Sequence, residues 1–308
     1  MKPNTNDTSA TAKNAKASDK LNQFLFLSEK LRRAYAIYSD CLETLANGFS
    51  EEAVHDLRVS IRRFLAVVML AERMAESQYT AEIRSLLRRQ IKLFSPLRDV
   101  QVQQIAVQKM LLRFPELSEY AVFLQKRECK LMAKLRAELT GIAEGNVFGL
   151  VFFLSRDCYQ SLRDKELTRE MMENMIEKEF EPVRRAISES DTRDMDTLHS
   201  VRLAFKNFRY ISEQFTAQLG IGRQELKRMN AFQTALGLIQ DNRVLYDSIR
   251  NFSAKVSAPN RLKFRLALSE ILRQRDELLK KYCLAAANAS SFVNDCTSGR
   301  NPQPADEE

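Results

Sequence analysis

Helical periodicity runs from about residue 20 to residue 290, and very little in the chain interrupts it. Across 308 residues there are only 8 Gly and 7 Pro, too few turn-formers for many short strands. Apolar residues instead recur at i, i+3, i+4 and i+7, the pattern of a helix with one face buried. In the first half this predicts a long helix from a Ser18–Asp19 cap to Gly48, then one opened by Ser50, Glu51 and Glu52. Helices over 80–94, 97–113 and 116–139 follow, punctuated by Pro96 and Pro115, with a linking helix over 147–163. The second half predicts helices over 166–189, 196–219, 223–237, 240–255 and 260–290. No stretch alternates apolar and polar between turns, so an all-α chain without a sheet is expected.

Gly141, Gly145 and Gly149 form the densest glycine group and mark the seam between two halves. Residues 1–18 and 294–308 are low in apolar content and are read as disordered tails. Nowhere do 18 apolar residues run together, so no membrane span is expected. The N-terminus carries no apolar run like a signal peptide, which gives a cytoplasmic expectation. Cys41, Cys129, Cys158, Cys283 and Cys296 are scattered and odd in number, so they read as reduced thiols. The net charge of +8 calls for an anionic partner without choosing one.

An internal repeat is more decisive. His55, Arg58, Arg62 and Phe64 match His199, Arg202, Lys206 and Phe208 at a spacing of 144, and these are the chain's only two histidines. Downstream, Leu97-Arg98-Asp99 aligns with Ile239-Gln240-Asp241 at a spacing of 142. Two landmarks in the same order at nearly one spacing indicate a duplication. On a helical wheel the bases at +3 and +7 fall at about 300° and 340° from each histidine. The apolar positions Leu57, Ile61 and Phe64, or Val201, Phe205 and Phe208, occupy about 180–240° of the same wheel. Each basic stripe, which Arg209 extends in the second copy, therefore borders the core face.

Like charges so spaced repel, and no acid at i+4 offsets them, so the stripes suit an anion. Arg can fork two phosphate oxygens, and Lys supplies a compact charge. The plainer alternative is a solvated basic face whose stems cover apolar neighbours. Arg84, Arg88, Arg89 and Lys92, and Lys227 with Arg228, could extend the surface. Asp99 and Asp241 read equally as orienting partners for nearby Arg or as helix N-caps. No cofactor or metal is called for, since both histidines lie among bases that repel a cation. There is no Walker loop, G-x-G-x-x-G or nucleophile–base signature, so no enzymatic activity is expected.

The segments Val54–Arg63, Leu198–Tyr210, Leu97–Val100 and Leu236–Asp241 resemble the CHAD family, the conserved histidine α-helical domain. The likeness spans about 20 to 290. It implies one domain over 19–293, with pseudo-symmetric four-helix bundles over about 19–145 and 165–293 around a basic groove or pore. The implied partner is inorganic polyphosphate, with association to polyphosphate granules. The implied contacts are His55, Arg58, Arg62, Arg63, His199, Arg202, Lys206, Arg209 and Tyr210. Arg88, Arg89, Lys92, Arg98, Lys227 and Arg228 are added here as further contacts. Leu65 and Asn207 each stand where the family commonly carries a base. The E-x-E-x-K strand of an often-associated triphosphate-hydrolase type domain is absent. Nucleic acid is the alternative polyanion. It is disfavoured because the phenylalanines sit on the apolar face and only Tyr210 lies near a stripe.

Overall fold

The computed structural model describes residues 21–144, 146–255, 258–289 and 291–297. Helix α1 (Gln23–Asn47) is capped by Asn22, whose side chain accepts from the Leu25 amide. The Ser18–Asp19 cap expected from sequence lies outside the described residues. The later start follows from a two-residue antiparallel ladder, Leu21 opposite Leu167 and Asn22 opposite Glu166. This corrects the expectation of no sheet, because a pairing of two residues is too short to show alternation. Helix α2 (Glu51–Met74) begins as expected, with the Ser50 hydroxyl accepting from the Ala53 amide and Glu51 and Glu52 in the first turn.

The third helix departs from the sequence reading. Where two helices were expected around Pro96, α3 runs unbroken over Tyr79–Met110. Proline removes one helical N–H and usually breaks the turn before it. The helix nonetheless continues: Leu97 and Val100 just beyond the proline are fully buried, and Arg58 Nη1 (3.1 Å) and Ser95 Oγ (2.6 Å) both donate to the Ile91 carbonyl in the turn before it. Pro115 opens a short 3₁₀ turn, Pro115–Leu117, and α4 (Ser118–Glu144) follows. Gly141 continues α4, Gly145 lies outside the described residues, and Gly149 sits in the first turn of α5 (Val147–Leu162). There the Asn146 cap lies so close that an added Cβ would collide with its side-chain amide.

The second half continues with α6 (Arg169–Ser188) and α7 (Met195–Ser212), capped by Thr168 and Asp194. A 3₁₀ turn and the short α8 (Thr216–Leu219) follow, ended by Gly220 at φ 69°. Helix α9 (Arg223–Ser253) passes straight through Gly237, where a break was expected. A mid-helix glycine costs about 1 kcal/mol. Burial of Phe232, Leu236, Ile239 and Leu245 on either side outweighs that. Helix α10 (Ala258–Ala286) and α11 (Ser291–Thr297) complete the chain. Residues 294–297 therefore finish a helix, and the rest of the C-terminal segment read as a tail lies outside the described residues.

The larger apolar core draws on both halves: Phe26 of α1 stacks on Phe215 at 5.6 Å, and Phe205 and Phe208 of α7 are fully buried. A smaller core joins the far end of α3 and the start of α4 to the end of α9 and the first half of α10. The long helices α3 and α9 thus each cross from one core to the other. Phe205 packs edge-on against Phe232 (4.5 Å) and Phe292 (5.2 Å). Phe205→Ala should lower unfolding stability by about 3–5 kcal/mol, read from the urea midpoint. A loss below about 1 kcal/mol would mean this cluster contributes little.

Candidate anion-binding site

The apolar faces of α2 and α7 decide where their bases go. Leu57, Ile61 and Phe64 on α2 and Val201, Phe205 and Phe208 on α7 are fully buried, and the two helices pack directly on each other. The bordering bases are thereby forced together. Arg58, Arg62, Arg202 and Lys206 form one electrostatic cluster, with Asp99 of α3 and Asp241 of α9 as its nearby acids.

The strain in this cluster shows in its protonation. Burial, then Arg62, Arg202 and Arg58, push Lys206 down to about 7. Burial followed by Arg62 lowers Arg58 to about 10 against the pull of Asp99. Arg202 is lowered by burial and Arg62, opposed by Asp241. Both acids are held above the ordinary carboxylate range by loss of water around them, despite the neighbouring arginines. Asp99 and Asp241 lie deep inside α3 and α9, so neither is an N-cap. The orienting reading is the one their positions allow.

Hydrogen bonding is equally incomplete. Arg58 Nη1 is anchored on the Ile91 carbonyl and on Ser95 Oγ (2.8 Å), which ties α2 to α3. By contrast, Arg62 Nε and Arg202 Nε are buried without partners among the described residues. Unmatched buried donors are uncommon and costly. What the cluster lacks is negative charge and acceptors.

The remaining residues singled out from sequence divide into three groups. His199 flanks the cluster, its Nδ1 3.2 Å from Gln240 Oε1. His55 is exposed, with its imidazole pushed down by loss of surrounding water and by Arg98. Arg98 itself donates to Glu51 (2.7 Å). Arg209 and Arg63 gather around Glu213 instead, while Tyr210, beneath Arg209, also faces Arg202 of the cluster. Arg209 pairs with Glu213, donates to Gln233 (2.8 Å) and lies 4.6 Å over the buried Tyr210 ring; Arg63 is 3.9 Å from the same Glu213. The Nε and Nη1 donors of Arg209 are thereby occupied, which the i+4 position of Glu213 could have revealed.

Arg88, Arg89 and Lys92 are exposed on α3. Because α3 is continuous through Pro96, Arg88, Lys92, Ser95 and Asp99 share an arc of about 60°. That row leads from the cluster to Arg88 over about 16 Å. Lys227 is exposed on α9, whereas Arg228 turns to α11, donating to Ser291 Oγ (2.6 Å) and covering the Phe292 ring. Sequence reasoning missed Arg127 of α4, which acts on Asp99 but stands in no repeat.

Comparison with known proteins agrees with this architecture. A family model described as the CHAD domain matches residues 29–250. Among solved structures, the chain is similar to the crystal structure of the CHAD domain from the plant Ricinus communis. The TM-score is 0.62 at 17% identity, covering 92% of this chain and 94% of that one. It is also similar to PptA from Streptomyces chartreusis, with a TM-score of 0.67 at 12% identity, covering 86% of this chain and 99% of that one. At these identities the likeness concerns the fold. No curated protein matches the sequence.

Proposed function

The chain belongs to the CHAD domain family, and from that premise we propose that it binds inorganic polyphosphate at the α2–α7 cluster. The observation that carries the proposal is the half-buried meeting of Arg62, Arg202 and Lys206, with two buried guanidinium Nε atoms unmatched and the positive charge in excess. A phosphate chain answers both at once, since each phosphoryl unit brings a negative charge and acceptor oxygens. A polymer also fits better than a single phosphate. Arg88 and Lys92 continue the positive row along α3, so a chain held at the cluster can engage them at high local concentration.

The site is proposed to bind without turnover, in the cytoplasm and at polyphosphate granules. In keeping with this, no helix among the described residues is long and apolar enough to cross a membrane. Inorganic polyphosphate is favoured over RNA because the aromatic rings beside the stripes are buried, including Tyr210. Base stacking needs exposed rings.

Titration with a long polyphosphate at several salt concentrations checks the proposal. Log affinity should fall against log salt with a slope of about −3, as expected when roughly four bases neutralise phosphates. A slope shallower than about −1 would remove the cluster as the grip. RNA at equal phosphate concentration should compete poorly, and no free phosphate should appear when the polymer is incubated with magnesium.

A further inference from the structure

Helix α5 is apolar on both faces. Its inner face, Val151, Leu154, Cys158 and Leu162, is buried against its neighbours. Its outer face carries Phe148 (64% exposed), Phe152 (61%) and Tyr159 (46%). Large aromatic side chains so far exposed, and contiguous, mark an interaction surface. Among the described residues the ridge is met from other elements only along the α1 flank, where Phe148 meets Tyr35 and Tyr159 meets Phe24; its remaining ring contacts, Arg163 over Tyr159 and Phe153 beside Phe152, come from α5 and the residue that ends it.

The spacing of the ridge identifies its occupant. Phe148, Phe152, Ser155 and Tyr159 are separated by four, three and four residues, the 3.5-residue repeat of a helix-pairing seam. Reversed about its midpoint, between residues 153 and 154, this seam maps onto itself. Phe152 then lies over Ser155 of a second copy and Phe148 over Tyr159, and both matches occur twice. Large against small at the centre and ring against ring at the ends is the complementarity a two-fold contact requires. Antiparallel pairing also sets opposite helix dipoles side by side.

Charge favours the same occupant. Arg156 pairs with Asp157 (3.3 Å) and Arg163 with Asp164 (3.1 Å), so these arginines have acids of their own. Such a rim would not attract a nucleic acid or an acidic peptide, and it would not repel a copy of itself. We propose that α5 is a homodimer interface, in which the Phe148–Phe152–Ser155–Tyr159 seam packs antiparallel on the same seam of a second copy. The exposed ridge offers about 400 Å² of apolar area per copy, below the roughly 800 Å² per partner of a standard interface. The dimer is therefore a weak one, with a dissociation constant of about 1–100 μM.

Sedimentation velocity of the full chain over about 1–200 μM tests this, since the range brackets that constant. The wild type should shift from monomer to dimer, and Phe152→Glu should stay monomeric with an unchanged circular dichroism spectrum. Ser155→Phe separates a fitted seam from general stickiness. It adds apolar area but fills the seat of Phe152, so it should weaken the dimer at least about tenfold, a change of roughly 1.4 kcal/mol. A wild type that remains monomeric throughout overturns the proposal. So does a dimer unaffected by Phe152→Glu, or one strengthened by Ser155→Phe. If Phe152→Glu fails to fold, the Ser155→Phe comparison decides alone.

Discussion

Replacing Arg62 and Arg202 by glutamine and Lys206 by methionine in one chain should lower affinity for long polyphosphate by about 10³–10⁴-fold. Each charged hydrogen bond to an anion is worth about 1.5–3 kcal/mol, and half-buried groups lie toward the lower end, so three together cost about 4.5–5.5 kcal/mol. The outlying Arg88, Arg89, Lys92 and Lys227 are exposed, and exposed charges contribute roughly 0–1 kcal/mol each. Alanine at all four of these should therefore cost much less, about tenfold to a hundredfold. Isothermal titration of both variants beside the wild type gives the comparison. If the outlying set matters more than these half-buried three, the chain lies along α3 and the α2–α7 cluster is structural.

The second large effect is on stability, and its sign is opposite. Lys206→Met should stabilise the ligand-free protein while weakening its binding. In the folded chain Lys206 faces Arg58 and Arg62 from α2 and Arg202 from its own helix, with Asp99 of α3 and Asp241 of α9 in the same cluster. Its ammonium is pushed down to about 7 from the ordinary 10.5. A base whose folded value lies below its unfolded one releases its proton on folding, so the unfolded state binds more protons between those limits. That penalty is complete below about pH 7 and disappears as pH rises toward 10.5. The stability gain of Lys206→Met should accordingly be largest near pH 7 or below and vanish near pH 10.5, as measured by urea unfolding at fixed salt. A gain that did not change with pH would point to packing as its source.

Polyphosphate reverses the same balance. An anion beside Lys206 favours its charged form, so binding above pH 7 takes up a proton and affinity falls as pH rises. Buffers of different ionisation enthalpy would reveal this uptake in the titration heat, and Lys206→Met should abolish it. On the proposed function, the free cluster holds its binding capacity as instability, a common trade in binding proteins.

The sequence by itself determined the all-α class, because scarce glycine and proline and a sustained 3.6-residue period leave few other outcomes. It also determined which side chains border the core, since Leu57, Ile61 and Phe64, or Val201, Phe205 and Phe208, fix the rotation of α2 and α7 on purely local grounds. Element breaks were less legible. Pro96 and Gly237 carry breaking propensities of at most a few kcal/mol. Burial of the flanking apolar residues, Phe94 and Leu97 around Pro96 and Leu236 and Ile239 around Gly237, overrides them, giving continuous helices where two pairs were expected. The allocation of the bases was decided wholly by the tertiary structure. Only packing could bring Arg62 against Arg202 and Lys206, or turn Arg228 to α11. Arg209 was given to Glu213 by the same fold. Charge is a property of each residue, but its lack of a partner depends on which helices meet.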